Sequence, residues 1–273
     1  MKPRLVDDLA ETDYRTEEPI LSQSIVKVIL NKSPAHALTF IDNNTETTSM
    51  LLGRAAHCLI LEGSEVFSDR YCVAPECDRR TKQGKNVYGA FVETLGTKHL
   101  ITSEDLALIT EMDAVLKSNN LTKDLLINGK PEVSAFGQIN CTDIKGRFDY
   151  YHPHDQIIVD LKTTLDASPE AVKKIVVNYS LHIQQFVYAK LHENITGKPP
   201  ADFVFIFVEK IPPHGVAVFR IDPHAIKLAG ILVGRALDIY QECLKKNFWP
   251  GYPETVQKID LPTWYYSQIE ATQ

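Results

Sequence analysis

Apolar residues recur at helical spacing in the first part of the chain. Over residues 21–30, Ile25, Val26, Ile29 and Leu30 form one face, Ser22 stands at the cap position, and Ser33-Pro34 ends the run. Over residues 49–61 the same period places Leu51, Leu52, Ala55, Ala56, Leu59 and Ile60 together, with Gly53 and His57 four apart on one face. Residues 103–117 predict a further amphipathic helix capped by Ser103. Residues 75–87, PECDRRTKQGKNV, are polar and basic and predict a loop, and the acidic, unpatterned residues 1–20 predict a loose arm.

The period then shortens. Residues 133–139, 147–151 and 156–161 are short, β-rich and separated by turn residues, which predicts neighbouring strands. Ser168-Pro169 supplies a cap and a first-turn proline for one or two helices reaching about His192. Residues 201–209 and 215–221 predict two more strands, joined by Ile211-Pro212-Pro213-His214. Asp222-Pro223 opens a long helix to about Asn247. The aromatic tail, with Trp249, Trp264, Tyr265 and Tyr266, is expected to pack back onto the body. The order predicts an α/β fold: a mixed central β-sheet flanked by helices, with helical additions at the amino-terminal side. Residues 21–273 read as a single domain.

Composition narrows the function. A chain of 273 residues with 44% hydrophobic content can bury one sizeable core. No apolar run approaches the roughly 20 residues that span a bilayer, and the amino terminus has no signal-like apolar region. Five cysteines without a CxxC pair argue against a zinc ribbon or disulfide framework; reduced thiols in the cytoplasm are the expectation. A net charge of −6 excludes indiscriminate coating of DNA, so any nucleic-acid contact must come from a local basic patch.

The candidate chemistry lies in Gly146-Arg147-Phe148-Asp149 and Ile157-Ile158-Val159-Asp160-Leu161-Lys162. Two strands joined by a short turn could bring Asp149 and Asp160 together, and alternation puts Asp160 and Lys162 on one face. As a fragment, D-x-K also describes a surface ion pair on an edge strand. Two carboxylates and an ammonium converging inside the protein are costly unless a divalent cation joins them. Hard oxygen ligands suit Mg²⁺ or Mn²⁺, and the lysine could hold an attacking water.

Asp149 followed by Asp160-Leu161-Lys162 resembles the PD-(D/E)xK nuclease signature, and the wider chain is similar to the RecE-type exodeoxyribonuclease family, related to RecB-type nucleases. Gly53 to His57 followed by Leu61-Glu62-Gly63 resembles the family's G-x-x-x-H helix. Glu132-Val133-Ser134 resembles its E-x-S segment, and His182-Ile183-Gln184 with Tyr188 its Q-x-x-x-Y helix. Leu21-Ser22 and Ser33-Pro34-Ala35-His36 resemble its L-S-x-S and S-P-A-H segments. Taken singly, His57 reads equally as a core histidine, Glu132 as a solvated strand-edge charge, and Gln184 with Tyr188 as a half-buried helix face.

The resemblance implies a metal site of His57, Glu132, Asp149, Asp160 and the Leu161 carbonyl. It also implies a catalytic Lys162, with Gln184 and Tyr188 orienting the substrate or the lysine. It implies Mg²⁺, with Mn²⁺ able to substitute, and 5′→3′ digestion of double-stranded DNA ends to leave 3′ tails. A homo-oligomeric ring, a single-strand annealing partner and a phage source belong to the same expectation. An iron–sulfur cluster is not expected, because only Cys243 lies downstream of Lys162. A non-catalytic DNA-binding partner on a nuclease fold is the rival of another class, and an endonuclease the rival within the superfamily; the presence of Asp149, Asp160 and Lys162 together disfavours the former. Arg79, Arg80, Lys82 and Lys85 are the densest basic run and the candidate phosphate contacts, with Lys173 and Lys174 second. The plainer reading of both is solvated surface.

Overall fold

The computed structural model describes residues 1–18, 21–42, 48–262 and 265–266. Strand β1 (Arg4–Val6) and helix α1 (Glu11–Thr16) come first, then α2 (Gln23–Asn31), α3 (Pro34–Asp42) and α4 (Thr48–His57), the last running into one π turn, Cys58–Glu62. Next are α5 (Ser64–Arg70), β2 (Tyr71–Val73), α6 (Lys82–Thr94), β3 (His99–Ile101), α7 (Ser103–Ser118) and α8 (Asn120–Leu125). The remaining strands are β4 (Lys130–Ile139), β5 (Thr142–His152), β6 (Ile157–Thr164), β7 (Asp202–Glu209) and β8 (Val216–Phe219). With them come α9 (Pro169–Asn178), α10 (Leu181–Thr196) and α11 (Pro223–Lys246).

Six strands form one mixed sheet in the order β1-β4-β5-β6-β7-β8, in which only β6 and β7 run parallel. β7 reads DFVFIFVE, apolar on both faces, as a strand covered on both sides must be. Its Phe203, Phe205 and Phe207 enter one core, shared with α2, α9, α10 and α11. Its Ile206 and Val208 enter a second core, shared with α4, α5 and α7. The result is helices on either side of a sheet. Among the described residues no helix is long and apolar enough to cross a membrane.

Pairing is uneven across this sheet, and the unevenness creates a cleft. β6 pairs with β7 along its whole length, from Ile157↔Asp202 to Thr164↔Glu209. It pairs with β5 only over Tyr150↔Val159, Tyr151↔Ile158 and His152↔Ile157. The next position in that register belongs to Asp149 and Asp160, and there the two strands part. Side-chain alternation also slips there: Phe148 and Tyr151 lie in the first core, whereas Tyr150 lies in the second. On the other side, Pro131↔Tyr150 and Val133↔Phe148 pair while Glu132, between them, takes a positive φ of 50°.

Several expectations are corrected. The residues expected as a loose arm supply β1, paired antiparallel to β4, and α1. The α1 backbone is tied down by Lys145, a buried ammonium that donates to the carbonyls of Tyr14 (2.5 Å), Arg15 (3.3 Å) and Glu17 (2.6 Å). Isolated short helices are unstable in water, so this bond set, invisible to local pattern, decides the outcome. The loop expected over residues 75–87 ends at Thr81, whose side chain caps α6, so Lys82 and Lys85 are helical. Ser33-Pro34 is a start as well as a stop, because proline suits a first helical turn. Thr102 rather than Ser103 caps α7, in a reciprocal box with Asp105. Asp160 lies inside β6, not at its end. Of the tail, Trp249 packs edge-on to Tyr240 and Tyr252 against His36, Tyr265 and Tyr266 are exposed, and Trp264 falls outside the described residues.

The Lys145 contacts give a direct test of the amino-terminal segment. Replacing Lys145 with methionine keeps the stem and strands three carbonyls. Urea unfolding should show a loss of about 2 kcal/mol, the scale of hydrogen bonds to a charged group, and proteolysis should become faster between residues 7 and 17. Unchanged stability together with unchanged proteolysis would mean that the segment is held by something else.

Candidate active site

The parting of β5 and β6 leaves backbone groups without ladder partners. Asp149 resolves one of them: its Oδ2 accepts from the Leu161 N–H at 2.9 Å. The same oxygen lies 3.7 Å from His57 Nδ1 and 3.6 Å from Lys162 Nζ. Asp149 therefore sits at the centre of the fork, touching the next strand, the end of α4 and the lysine.

His57, Glu132 and Asp149 each offer one ligand atom, all within 4.8 Å of one another. His57 is the last residue of α4 before the π turn, an irregularity often found at functional positions. Glu132 sits in β4 with a left-handed backbone, which costs a β-region residue of this kind about 1–2 kcal/mol. Arg147 stands beside it, Nη1 to Oε2 at 3.9 Å, and is itself fixed by Ser134 Oγ (3.1 Å) and the Leu9 carbonyl (2.9 Å). Ser134 of the E-x-S segment thus holds the arginine that faces the glutamate.

The second carboxylate of the pair is engaged differently. Asp160 is buried, with its Oδ2 accepting from Gln184 Nε2 and its Oδ1 ion-paired to Lys162. That Oδ1 has no aligned hydrogen-bond donor, so the Lys162 contact is a charge contact that another cation could share. Asp160 stands outside the trio of His57, Glu132 and Asp149. The Leu161 carbonyl accepts from Lys162 Nζ at 3.5 Å.

Electrostatics agree with a cation site. Burial pushes the Glu132 carboxyl up to about 8, with the Asp149 charge adding and Arg147 opposing. Burial and the Asp149 charge lift Asp160 to about 6, against Lys162. Asp149 is also raised, by burial, with Lys162 opposing. These acids lack enough positive charge around them. His57 is pulled down to about 4 by burial and by Lys162, so it is neutral near pH 7, the form that binds metals. Burial alone would lower the Lys162 ammonium, but Asp160 and Asp149 outweigh it and hold it above the ordinary value. A donor set of two or three carboxylates and one imidazole fits a hard divalent cation, and the imidazole favours Mn²⁺.

Not every expected residue joins this group. Gln184 does, through Asp160 rather than through the lysine. Tyr188 does not reach the acids: its ring packs on Phe148 at 5.3 Å and under Gly146, where an added Cβ would come within 2.8 Å of it. It packs against the strand that carries Arg147 and Asp149. Arg79, Arg80, Lys82 and Lys85 are exposed around the start of α6, and Lys173 and Lys174 are exposed on α9. Two cations at the site escaped the sequence reading. Arg147 lay inside the quoted G-R-F-D segment, and Lys27 lay in the first amphipathic helix, a lone charge within Ile25-Val26-Lys27-Val28-Ile29.

The trio predicts a metal-binding result. Manganese titrated into the wild-type protein and followed by electron paramagnetic resonance should bind at one tight site. Asp149→Asn should abolish that binding, and His57→Ala should weaken it by at least the roughly 10–100-fold that loss of an outer-sphere partner costs. Equal manganese binding by Asp149→Asn and wild type would remove the fork as the metal centre.

Comparison with known proteins places the fold. No curated protein matches the chain significantly. Among solved structures, a candidate exonuclease from Eubacterium rectale superposes with a TM-score of 0.66 at 14% identity, covering 96% of this chain and 99% of that one. A phage-related exonuclease from Haemophilus somnus 129PT is also similar, at a TM-score of 0.35 and 14% identity, over 71% of this chain and 95% of that one. Residues 22–262 match the family described as a PDDEXK-like domain of unknown function, DUF3799. The match takes in every residue of the fork, from His57 to Gln184, and the chain belongs to that PDDEXK-like family.

Proposed function

We propose that this protein is a divalent-metal-dependent deoxyribonuclease that digests linear double-stranded DNA from its ends, 5′→3′, leaving 3′ single strands. The observation that carries the reading is the meeting of His57, Glu132 and Asp149 within 4.8 Å beside an ion-paired Lys162. The exonuclease part rests on the motif resemblance and on the name of the Eubacterium rectale protein. A ring of identical subunits, a single-strand annealing partner and a phage source complete the proposal on the same resemblance, and a cytoplasmic site of action on the cysteine pattern.

A bound Mg²⁺ or Mn²⁺ would neutralise the scissile phosphate and acidify water. His57, Glu132 and Asp149 would hold it, with Asp160 Oδ1 and the Leu161 carbonyl in reserve at the edge. Lys162 stays an ammonium, so it donates: it orients the attacking water and offsets charge growing on the phosphate, and it does not abstract a proton. Gln184 keeps one Asp160 oxygen occupied and leaves the other toward the lysine.

DNA contact must come from local charge on this acidic chain. Arg79 lies over the Tyr88 ring at 4.6 Å, and Arg80 pairs with Asp78 at 3.0 Å. Lys82 and Lys85 occupy the first turn of α6, where the helix dipole disfavours cations and favours phosphates. Gly84 lets this turn close, since a Cβ there would meet the Asp78 carbonyl at 2.1 Å.

Two experiments follow. Linear duplexes labelled at the 5′ or 3′ end, incubated with Mg²⁺ or with EDTA, should release the 5′ label first and only with metal. Lys162→Ala should lower turnover by about 10² or more while DNA binding persists. Metal-independent cleavage, or a Lys162→Ala protein of normal turnover, would sink this mechanism. In the second, Arg79→Ala with Arg80→Ala should weaken duplex binding and flatten its salt dependence by about 0.9 per lost phosphate contact. Unchanged affinity and slope would move the DNA track to Lys173 and Lys174.

A further inference from the structure

Helices α2 and α10 meet along a polar seam built from two rungs. Asn31 Nδ2 donates to Ser180 Oγ at 3.1 Å, and Lys27 Nζ donates to Gln184 Oε1 at 3.4 Å. Residues 27 and 31 are one turn apart on α2, and residues 180 and 184 one turn apart at the start of α10, so the rungs are successive and the helices antiparallel. Among the described residues, the side chains of the lower rung bond only to each other. The upper rung continues: the Gln184 amide that accepts from Lys27 donates from its nitrogen to Asp160 Oδ2. Asp160 Oδ1 then meets Lys162.

We propose that Lys27 is a positioning residue of the nuclease centre, fixing the orientation of the Gln184 amide and thereby which oxygen of Asp160 is left to face Lys162 and the phosphate. The argument is one of donor and acceptor inventory. A glutamine amide is nearly symmetric in shape, and rotation by half a turn exchanges its oxygen and its nitrogen. A lysine ammonium can only donate, and an ionised aspartate can only accept. Lys27 on one side and Asp160 on the other therefore permit a single orientation. Without Lys27 the amide oxygen loses its donor and the amide is held by Asp160 alone, free to swing about that one contact and to let Oδ2 leave its place. Burial and the like charge of Lys162 pull the Lys27 ammonium down to about 7, and Asp160 and Asp149 pull the other way. Among the described residues it makes no carboxylate salt bridge, so its one polar partner is the amide.

The inference rests on the nuclease reading above for its kinetic consequence, but not for its structural one. The test uses wild type, Lys27→Met, Lys27→Arg, Gln184→Leu, the double variant Lys27→Met/Gln184→Leu, and Asn31→Ala as a control on the lower rung. In metal-free protein the Gln184 side-chain amide resonances are assigned by their loss in Gln184→Leu. They should be protected from solvent exchange in wild type and in Lys27→Arg, and unprotected in Lys27→Met. With linear duplex, Lys27→Met should lower kcat by between about 10- and 10²-fold, the effect of displacing a group near the chemistry, with KM almost unchanged. Lys27→Arg should recover most of the rate, Asn31→Ala should match wild type, and the double variant should be no slower than Gln184→Leu alone, since both changes break one chain of contacts. Wild-type kcat in Lys27→Met, or full additivity in the double variant, or an amide still protected in Lys27→Met, would overturn the assignment. Failure of the wild-type protein to cleave any DNA would overturn the nuclease reading instead, and the amide measurement would still decide the role of Lys27.

Discussion

The Asp149 carboxylate accepting from the Leu161 N–H is the contact on which the site depends. Two antiparallel strands that part after three residue pairs leave N–H and C=O groups without partners, and a buried orphan of that kind costs on the order of 1–3 kcal/mol. A side chain that closes the gap makes the opening affordable. Asp149 does so with a charged acceptor, and the same oxygen faces His57 and Lys162. The bond that stabilises the fork thus also places the carboxylate where the chemistry needs it. The parallel partner β7 holds β6 straight through this region, so the opening is made by β5 alone.

The fork is approached from both layers of the fold. Asp160 and Lys162 share a strand face with Ile158, which packs into the core of α2, α10 and α11, and their polar contacts come from that side through Gln184 and Lys27. His57 comes from α4, whose Ala55 and Ala56 belong to the opposite core. In an unbroken sheet those two sets would be separated by the strand itself. Parting β5 from β6 lets them meet, with Lys162 reaching both Asp149 and Asp160. The concentration of acid at this point would be unfavourable in a closed core, and each carboxyl is accordingly displaced upward.

Much of this was legible in the chain. The period-two segments predict the strands, the capping residues predict α9 and α11, and the spacing of Asp149, Asp160 and Lys162 predicts the strand pair at which these side chains converge, because alternation fixes which side chains share a face. What escaped has physical causes. The Glu132 bulge depends on one backbone angle that no residue preference announces, since glutamate is not a residue that favours positive φ. The arm over residues 1–18 lacks any pattern of its own and is ordered by distant groups, Lys145 and Arg147. Lys27 was hidden in a hydrophobic helix, where a single lysine reads as a solvated interruption until its opposite helix is known. For Tyr188 the sequence leaves a half-buried helix face and a polar role both open, because it shows the phenol and not the glycine against which the ring packs.

That arm has a further place in the architecture. Leu9 holds Arg147, which stands against Glu132, and Glu11 accepts two bonds of 2.8 Å from Arg54 on α4, the helix that ends in His57. The segment therefore touches, from outside, the arginine beside Glu132 and the helix that ends in His57, through one carbonyl and one carboxylate. Partly exposed ion pairs contribute little to overall stability, typically below about 1 kcal/mol. Their geometric effect is larger than their energy here, because the ligand atoms must stay within a few tenths of an ångström of a shared centre while α4 and β4 belong to different layers. Both bonds come from Arg54 Nη1, which therefore sits between the two carboxylate oxygens of Glu11. The amino-terminal residues thus act as a brace between the helix that supplies the imidazole and the strand that supplies the glutamate, which is why a stretch with so little pattern is so densely bonded.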